Sequence, residues 1–273
     1  MNFKVAFIGA GNMNSAVIAG LVGKGFNPQD IIVSNPSPEK REHLAHIHDI
    51  KHTASNTEAA EFADVIVLGV KPHLICDVCQ QLISETSLND KLIVSVAAGT
   101  TLAQIQTALG DKLPVVRTMP NTPSQLGLGV TGLFASPETS QEQKLMAEHI
   151  MTAAGIISWL ETEEEIDHII AVSGSGPAYF FLFMEAMEQK AIDLGFSAKQ
   201  ARKLVQQTAL GAASMVVEND IPISQLRENV TSKGGTTQAA LDSFRADGLP
   251  QIVTKAMDCA LHRAKEMAQN SNS

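Results

Sequence analysis

Short runs that are apolar almost throughout, rather than on alternate residues, recur along roughly the first 160 residues, separated by amphipathic stretches. A strand apolar on both faces must be covered on both faces. Strands that alternate with helices achieve this as a parallel sheet with helices on either side. The runs are Phe3 to Ile8, Ile31 to Ser34, Asp64 to Val70, Leu92 to Val96 and Val115 to Thr118, with further strands expected at Gly129 to Ala135 and Ile156 to Leu160. Helices are expected after the first run to about Lys24, closed by Gly25, and near 39–47, 56–62, 74–84, 101–109 and 140–153.

Beyond Trp159 the strand pattern stops. Thr162-Glu163-Glu164-Glu165 reads as a capping box with Thr162 at the N-cap, its acids complementing a helix start. Pro177 to Leu194 reads as a helix that is apolar almost all round: Tyr179, Phe180, Phe181, Leu182, Phe183, Met184, Met187 and Ile192. A small helical domain cannot bury such a helix alone, which points to a subunit interface. A helix capped at Ser197 runs to about Glu218, and others follow near 223–229, 237–246 and 250–268; the polar tail Gln269 to Ser273 is expected to fray. The expected organisation is a doubly wound, Rossmann-type α/β domain over 1–161 and an all-α dimerisation and substrate-binding domain over 162–273.

Composition narrows the class. A net charge of −9 without a basic block disfavours nucleic acid as a partner. Three cysteines are too few for a disulfide framework, which suggests a reducing compartment. The start of the chain lacks a signal-peptide pattern, and no apolar run is expected to reach the length that spans a bilayer. A cytoplasmic protein that binds no membrane is the expectation. Cys76 and Cys79 form a CxxC that reads as a helix face rather than a redox or metal site. His43, His46, His48 and His52 follow no metal-ligand spacing and read as a solvated surface, so no metal is expected.

The chemistry begins at Gly9-Ala10-Gly11, between the first strand and the first helix. That placement is what a dinucleotide fingerprint requires. Gly9 permits the turn, Gly11 lets the backbone approach a pyrophosphate, and the loop from Ile8 through Asn12 and Met13 carries the anion seat. The third fingerprint position is Asn14, which should loosen helix–strand packing. An NAD site carries an acid at the end of the second strand, whereas here Ser34, Asn35 and Pro36 stand there and Lys40 and Arg41 follow, which suits a 2′-phosphate. NADPH is therefore the expected cofactor, with NADH a weaker substitute. Val70-Lys71-Pro72, Ala97-Ala98-Gly99 and Asn121 lie at the carboxyl ends of three later strands and define one cleft, in which the small residues 97–99 let a nicotinamide approach.

A second segment, Asn229-Val230-Thr231-Ser232-Lys233-Gly234-Gly235-Thr236-Thr237, places paired glycines before a helix with Thr236 or Thr237 at its N-cap. Bared N–H groups beside hydroxyls at a helix start make a carboxylate cradle. This segment closely resembles the signature of the pyrroline-5-carboxylate reductase family, and Ser173 to Tyr179, Val70 to His73 and Met119 to Pro123 resemble it too, so that the likeness covers nearly the whole chain. The resemblance implies hydride delivery from NAD(P)H to C5 of a cyclic imine. It implies that the substrate carboxylate sits on residues 230–237 with Ser232, Gly234 and Gly235, and that Thr237 is the catalytic contact to the ring nitrogen. Asn229, Thr236 and Glu163 would surround the substrate, while Ser34 and Asn56 would meet the adenosine ribose and 2′-phosphate. It implies a homodimer or a ring of dimers with sites shared between chains. A hydroxyacid dehydrogenase of related fold would need a positioned Lys or His, and the helix after Ser173 to Gly176 opens with Pro177, Ala178, Tyr179 and Phe180 instead. A non-catalytic dinucleotide-binding regulator would not need the intact 230–237 loop.

Overall fold

The computed structural model describes residues 2–110 and 113–270, and the last three residues of the polar tail lie outside them. Contacts divide the chain into two compact units, residues 1–175 with those from 260 onward, and residues 176–259. The contact division falls after Ser175, whereas the boundary expected after 161 follows the end of the last strand at Trp159.

The first unit is built on one eight-stranded sheet in the order β3-β2-β1-β4-β5-β6-β7-β8. Its strands are β1 (Val5–Ile8), β2 (Ile31–Ser34), β3 (Lys51–Thr53), β4 (Val65–Leu68), β5 (Leu92–Ser95), β6 (Val115–Met119), β7 (Gly129–Ala135) and β8 (Gly155–Trp159). The intervening helices are α1 (Asn12–Gly23), α2 (Pro38–His48), α3 (Asn56–Phe62), α4 (Ile75–Glu85), α5 (Leu102–Ala108), α6 (Gln141–Thr152) and α7 (Glu165–Ile169). β1, β2, β4 and β5 are buried at every residue, which is why they read as unbroken apolar runs. Phe7, Val33, Val67 and Val94 face a core closed by Val17 and Leu21 of α1, Leu44 of α2 and Ile150 of α6. Ile8, Ile32, Ile66 and Ile93 face a second core closed by Ala59 of α3, Cys79 and Leu82 of α4 and Ile105 of α5.

Two features depart from the sequence expectation. β3 is an additional edge strand, short and exposed at two of its three residues, so it lacks the apolar signal that marks the others, and it takes up His52. β7 pairs antiparallel with β6, although β8 then runs parallel to β7. The connection 120–128 holds one short 3₁₀ turn, Thr122–Leu126, capped by Gly127 (φ 70°), too short for the crossover of about a dozen residues that parallel pairing needs.

The capping box expected at Thr162 forms only in part. Glu165 accepts from the N–H groups of Glu161 (2.7 Å) and Thr162 (3.2 Å), but α7 starts later and no side chain caps it. Those two backbone donors hold the Glu165 carboxyl below the usual carboxylate range. In α4 Cys79 sits fully inside the second core, where burial and then the neighbouring Cys76 push its thiol up to about 12. That thiol stays protonated and is no redox nucleophile.

The second unit holds α8 (Gly176–Asp193), α9 (Ala198–Val217), α10 (Ile223–Asn229), α11 (Thr236–Ala246) and the first part of α12 (Leu249–Asn270). α8 packs along α9, with Arg202 3.5 Å from Glu188, and Phe183 meets Phe244 of α11. Within one chain the apolar helix is not buried: Phe180 is 71% and Leu182 67% exposed. One continuous helical stretch, Glu165–Asp193, is long and apolar enough by composition to cross a membrane, which corrects the expectation that no such run exists.

Close approach also shapes the first unit. A Cβ on Gly20 of α1 would lie 2.2 Å from the Ala153 carbonyl oxygen after α6. Gly20→Ala should therefore push α1 away from α6 and cost about 1–3 kcal/mol despite its better helix propensity. Urea unfolding checks this, and an unchanged midpoint would show that the loop yields freely.

Candidate functional site

The Gly-rich turn lies where the sheet order reverses, between β1 and its neighbours β2 and β4. Gly9 adopts φ 99°, and a Cβ there would meet the Gly69 carbonyl oxygen at 2.8 Å. α1 begins at Asn12 with Gly11 as N-cap and no side-chain cap, so its first N–H groups are left for an anion; Gly11 and Asn12 are exposed there. Met13 follows, partly buried, and Ile8 is wholly buried in the core beneath. Not every donor of the loop is open, because the Ala10 N–H is taken by Asn35 Oδ1 at 3.1 Å.

Asn14 does not loosen this corner. It is fully buried, and its amide nitrogen donates to the carbonyls of Gly9 (2.7 Å) and Ile8 (3.2 Å), tying the first turn of α1 to the end of β1. A Cβ on Gly69 would collide with that amide at 2.3 Å, so the glycine after β4 makes room for the asparagine. The usual third glycine allows close packing, and here a side-chain amide with a facing glycine does the work.

At the adenosine end, Ser34 is fully buried and cannot itself face a ligand. Its hydroxyl donates to Asn56 Oδ1 at 2.7 Å. That bond turns the Asn56 oxygen inward and leaves its amide nitrogen, held only by a 3.4 Å bond to exposed Gln81, as the end available to a phosphate. Asn35 is likewise a loop holder, its second bond going to the Ser37 carbonyl. Arg41 adds a cation, pinned by its bonds to the carbonyls of Asn35 and Pro36 at 2.9 and 3.0 Å, with its buried Nε unpartnered. No acid stands at the end of β2, so the residues present fit NADP.

The cleft residues divide in the same way. Val70 is partly buried at the end of β4, and Lys71 and Pro72 are exposed at the 3₁₀ turn after it. Ala97 and Gly99 (φ 80°) are buried and Ala98 is partly exposed. Asn121, expected to touch cofactor, spends both ends of its amide inside the fold: it donates to the Ser173 carbonyl at 2.8 Å and accepts from the Val130 N–H at 2.9 Å. Glu163, expected near substrate, instead accepts at one oxygen from Arg117 and from the Leu102 N–H, each at 2.7 Å. Arg117 and Asp167 were not anticipated; Arg117 is a lone charge in an apolar strand, a signal the sequence did carry, whereas Asp167 is hidden behind the acidic run Glu163 to Glu165.

In the second unit Thr236 and Thr237 are the first two residues of α11, and neither caps it; Gly235 is the N-cap. The glycines bare fewer donors than expected, since the Gly234 N–H goes to Gln238 (2.6 Å) and the Gly235 N–H to the Ser232 carbonyl (3.0 Å). The donors left by position are those of Thr236, Thr237 and Gln238, and both threonine hydroxyls stay free of capping duty. Gly234 holds φ 72°, and a Cβ on Gly235 would strike the exposed Ser232 hydroxyl at 2.3 Å. Asn229 ends α10 on the surface, accepting from Gln225 at 3.0 Å.

Comparison with known proteins points the same way. The model for the dimerisation domain of pyrroline-5-carboxylate reductase matches residues 163–267, and one described as NADP oxidoreductase, coenzyme F420-dependent, matches residues 4–99. The pyrroline-5-carboxylate reductase of Vibrio alginolyticus is 51% identical, covering 97% of both chains. The solved pyrroline-5-carboxylate reductase of Coxiella burnetii superposes with a TM-score of 0.95 at 41% identity over 98% of this chain and 99% of its own. That of Plasmodium falciparum, solved with NADP bound, gives 0.85 at 29% identity over 98% of each chain.

The geometry at Asn56 makes a specific prediction. The protein should show a higher kcat/KM with NADPH than with NADH, and Asn56→Asp should erase at least about tenfold of that preference, the effect of ~1.4 kcal/mol of added repulsion at the 2′-phosphate. Steady-state kinetics with both cofactors decides it, equal losses placing Asn56 away from that phosphate.

Proposed function

The chain belongs to the pyrroline-5-carboxylate reductase family, and on that premise we propose how its residues divide the work. The enzyme reduces 1-pyrroline-5-carboxylate to L-proline, the last step of proline biosynthesis. NADPH, when bound, supplies the hydride that C5 of the imine accepts. The N-terminal turn of α1 holds its pyrophosphate, Asn56 and Arg41 its 2′-phosphate end, and the Ala97–Gly99 backbone supports the ring.

The observation that carries the substrate side is the uncapped start of α11. The N–H groups of Thr236, Thr237 and Gln238 converge there without intrahelical acceptors and suit a carboxylate. The Thr237 hydroxyl orients the ring nitrogen, and Asn229 and Ser232 flank it. The imine nitrogen takes its proton from water before the hydride arrives, so the protein needs orientation and anion binding rather than a strong base. The helix after Ser173 to Gly176 opens with Pro177, Ala178, Tyr179 and Phe180 rather than a Lys or His, which disfavours the dehydrogenase alternative.

The enzyme acts as a homo-oligomer in the cytoplasm, its exposed α8 covered by a second copy. The groove between α8 and α9, about 790 Å³ and lined by Phe180, Phe181, Met184, Val205 and Leu210, is the surface a partner helix fills. The finer reading is a dimer, or a ring of dimers, in which each site draws its cofactor domain and its 230–237 loop from different chains.

With purified protein, NADPH oxidation should depend on added pyrroline-5-carboxylate, and Thr237→Ala should lower kcat/KM by about one to three orders of magnitude while NADPH affinity holds. No substrate-dependent oxidation by the native enzyme would sink the assignment, and near-normal turnover by the variant would remove Thr237 from it. The shared site is tested by co-refolding Gly11→Asp, dead for cofactor, with Gly235→Trp, dead for substrate. In a mixed dimer one site collects both lesions and the other none, so random pairing should restore roughly a quarter of full activity. Confirmed mixed dimers that stay inactive would place each site within one chain.

A further inference from the structure

Arg117, on β6, is a buried cation, its side chain 4% exposed, and among the described residues Nη1 finds an acceptor while Nε and Nη2 are buried without one. The acceptor is Glu163 Oε1 at 2.7 Å, and the same oxygen takes the Leu102 N–H at 2.7 Å. Leu102 is the first residue of α5, so its N–H has no acceptor within the helix. Just before it lies the loop Ala97–Thr101, with Gly99 in the left-handed region and Thr101 closing a capping box with Gln104. At the start of the loop the Ala97 N–H reaches the Ser95 hydroxyl at 3.4 Å, a long bond. On its other side Asp167 of α7, with Ala98, Gly99 and Ser175, lines a cavity of about 160 Å³. Burial holds the Asp167 carboxyl above the ordinary range while Arg117 opposes that rise, so the two charges feel one another.

An ion pair is an unusual means of fastening two elements, since well-packed apolar side chains generally serve stability as well or better. What a charged pair supplies is a fixed direction: one carboxylate oxygen can meet a guanidinium and a backbone N–H together in only one placement. That placement falls at the carboxyl edge of the sheet, directly after Ala97-Ala98-Gly99.

We propose that Arg117 and Glu163 are positioning residues for the nicotinamide half of the cofactor, clamping the start of α5 and thereby the Ala97–Gly99 backbone on which the ring rests. The inference rests on the reading above that this loop supports the ring. It moves Glu163 from the substrate's surroundings to the cofactor's support. Neither residue touches the reacting atoms. The clamp acts through the loop, so its loss should be felt by the nicotinamide end and not by the adenosine end.

The test compares two ligands on the full-length enzyme by calorimetry: NADPH, and adenosine 2′,5′-bisphosphate, which carries only the adenosine end. Glu163→Asp keeps the charge but is one methylene short of reaching both donors. It should weaken NADPH by about tenfold, the scale of a sub-ångström misplacement, and leave the bisphosphate unchanged. Glu163→Gln keeps the shared acceptor oxygen and should restore most of the NADPH affinity. Equal weakening of both ligands by Glu163→Asp would reduce the pair to general scaffolding and overturn the proposal, as would no change in either. A rise in KM for pyrroline-5-carboxylate with NADPH affinity intact would return Glu163 to the substrate and overturn it as well. Failure of the native enzyme to bind the bisphosphate would instead count against the adenosine site itself, a separate result.

Discussion

The corner where Asn14, Gly9 and Gly69 meet fixes how the first turn of α1 sits over the end of β1. The Asn14 amide is held between the carbonyls of Ile8 and Gly9, and Gly69 has no side chain because that amide fills its place. The Ile8 carbonyl also accepts from the Gly69 N–H at 2.9 Å, but the Gly9 carbonyl and the Asn14 amide nitrogen, if unpaired, would be buried polar groups, each costing about 1–3 kcal/mol. Paired, they fix the first turn of α1 over the sheet's reversal point and so aim its uncapped N–H groups. The helix dipole and the bared donors serve a pyrophosphate only if that aim holds.

The rest of the cofactor domain follows the same economy: side chains that look like ligand contacts are spent on holding backbone. Asn35 secures the Ala10 N–H, Asn121 joins β7 to the segment at Ser173, Ser34 turns Asn56, and Glu163 catches α5. The surfaces left for ligand are then mostly backbone donors and a few oriented amides. Bonds of this kind hold the loops at the strand ends in place, which suits chemistry that relies on orientation more than on a dedicated acid or base.

This division explains which parts were legible in the sequence. β1, β2, β4 and β5 could be read because burial on both faces leaves an uninterrupted apolar run, and the helices from α3 to α6 because their apolar faces recur at helical spacing. β3 escaped because an exposed three-residue edge strand carries no such pattern, and the reversal at β7 because direction lies in the length of the preceding connection, not in the strand's own residues. Residue type suggested candidates without their orientation. Ser34 and Asn56 were both expected at the adenosine end, yet Ser34 is fully buried and donates to Asn56, which the sequence did not reveal. Thr236 and Thr237 were assigned to a cap because hydroxyls before a helix usually cap it; the turn at Gly234 instead starts the helix one residue early and frees both.

The second unit poses a different physical question, because a helix with Phe180, Phe181 and Leu182 exposed cannot face water as it stands. Length and composition alone would let the stretch around it enter a bilayer. The arrangement of charge argues for protein instead. Glu185 and Glu188 lie on α8 within a turn or two of those aromatics and line the same groove, with Arg202 of α9 3.5 Å from Glu188. Two carboxylates and a guanidinium set against lipid would carry an ionic cost that a single ion pair does not remove. Around an apolar centre on a protein surface they form the polar rim that interfaces between subunits characteristically have. The sequence match of this segment to a dimerisation domain then has a physical basis: the helix is apolar where a second copy must exclude water and charged where the contact meets solvent.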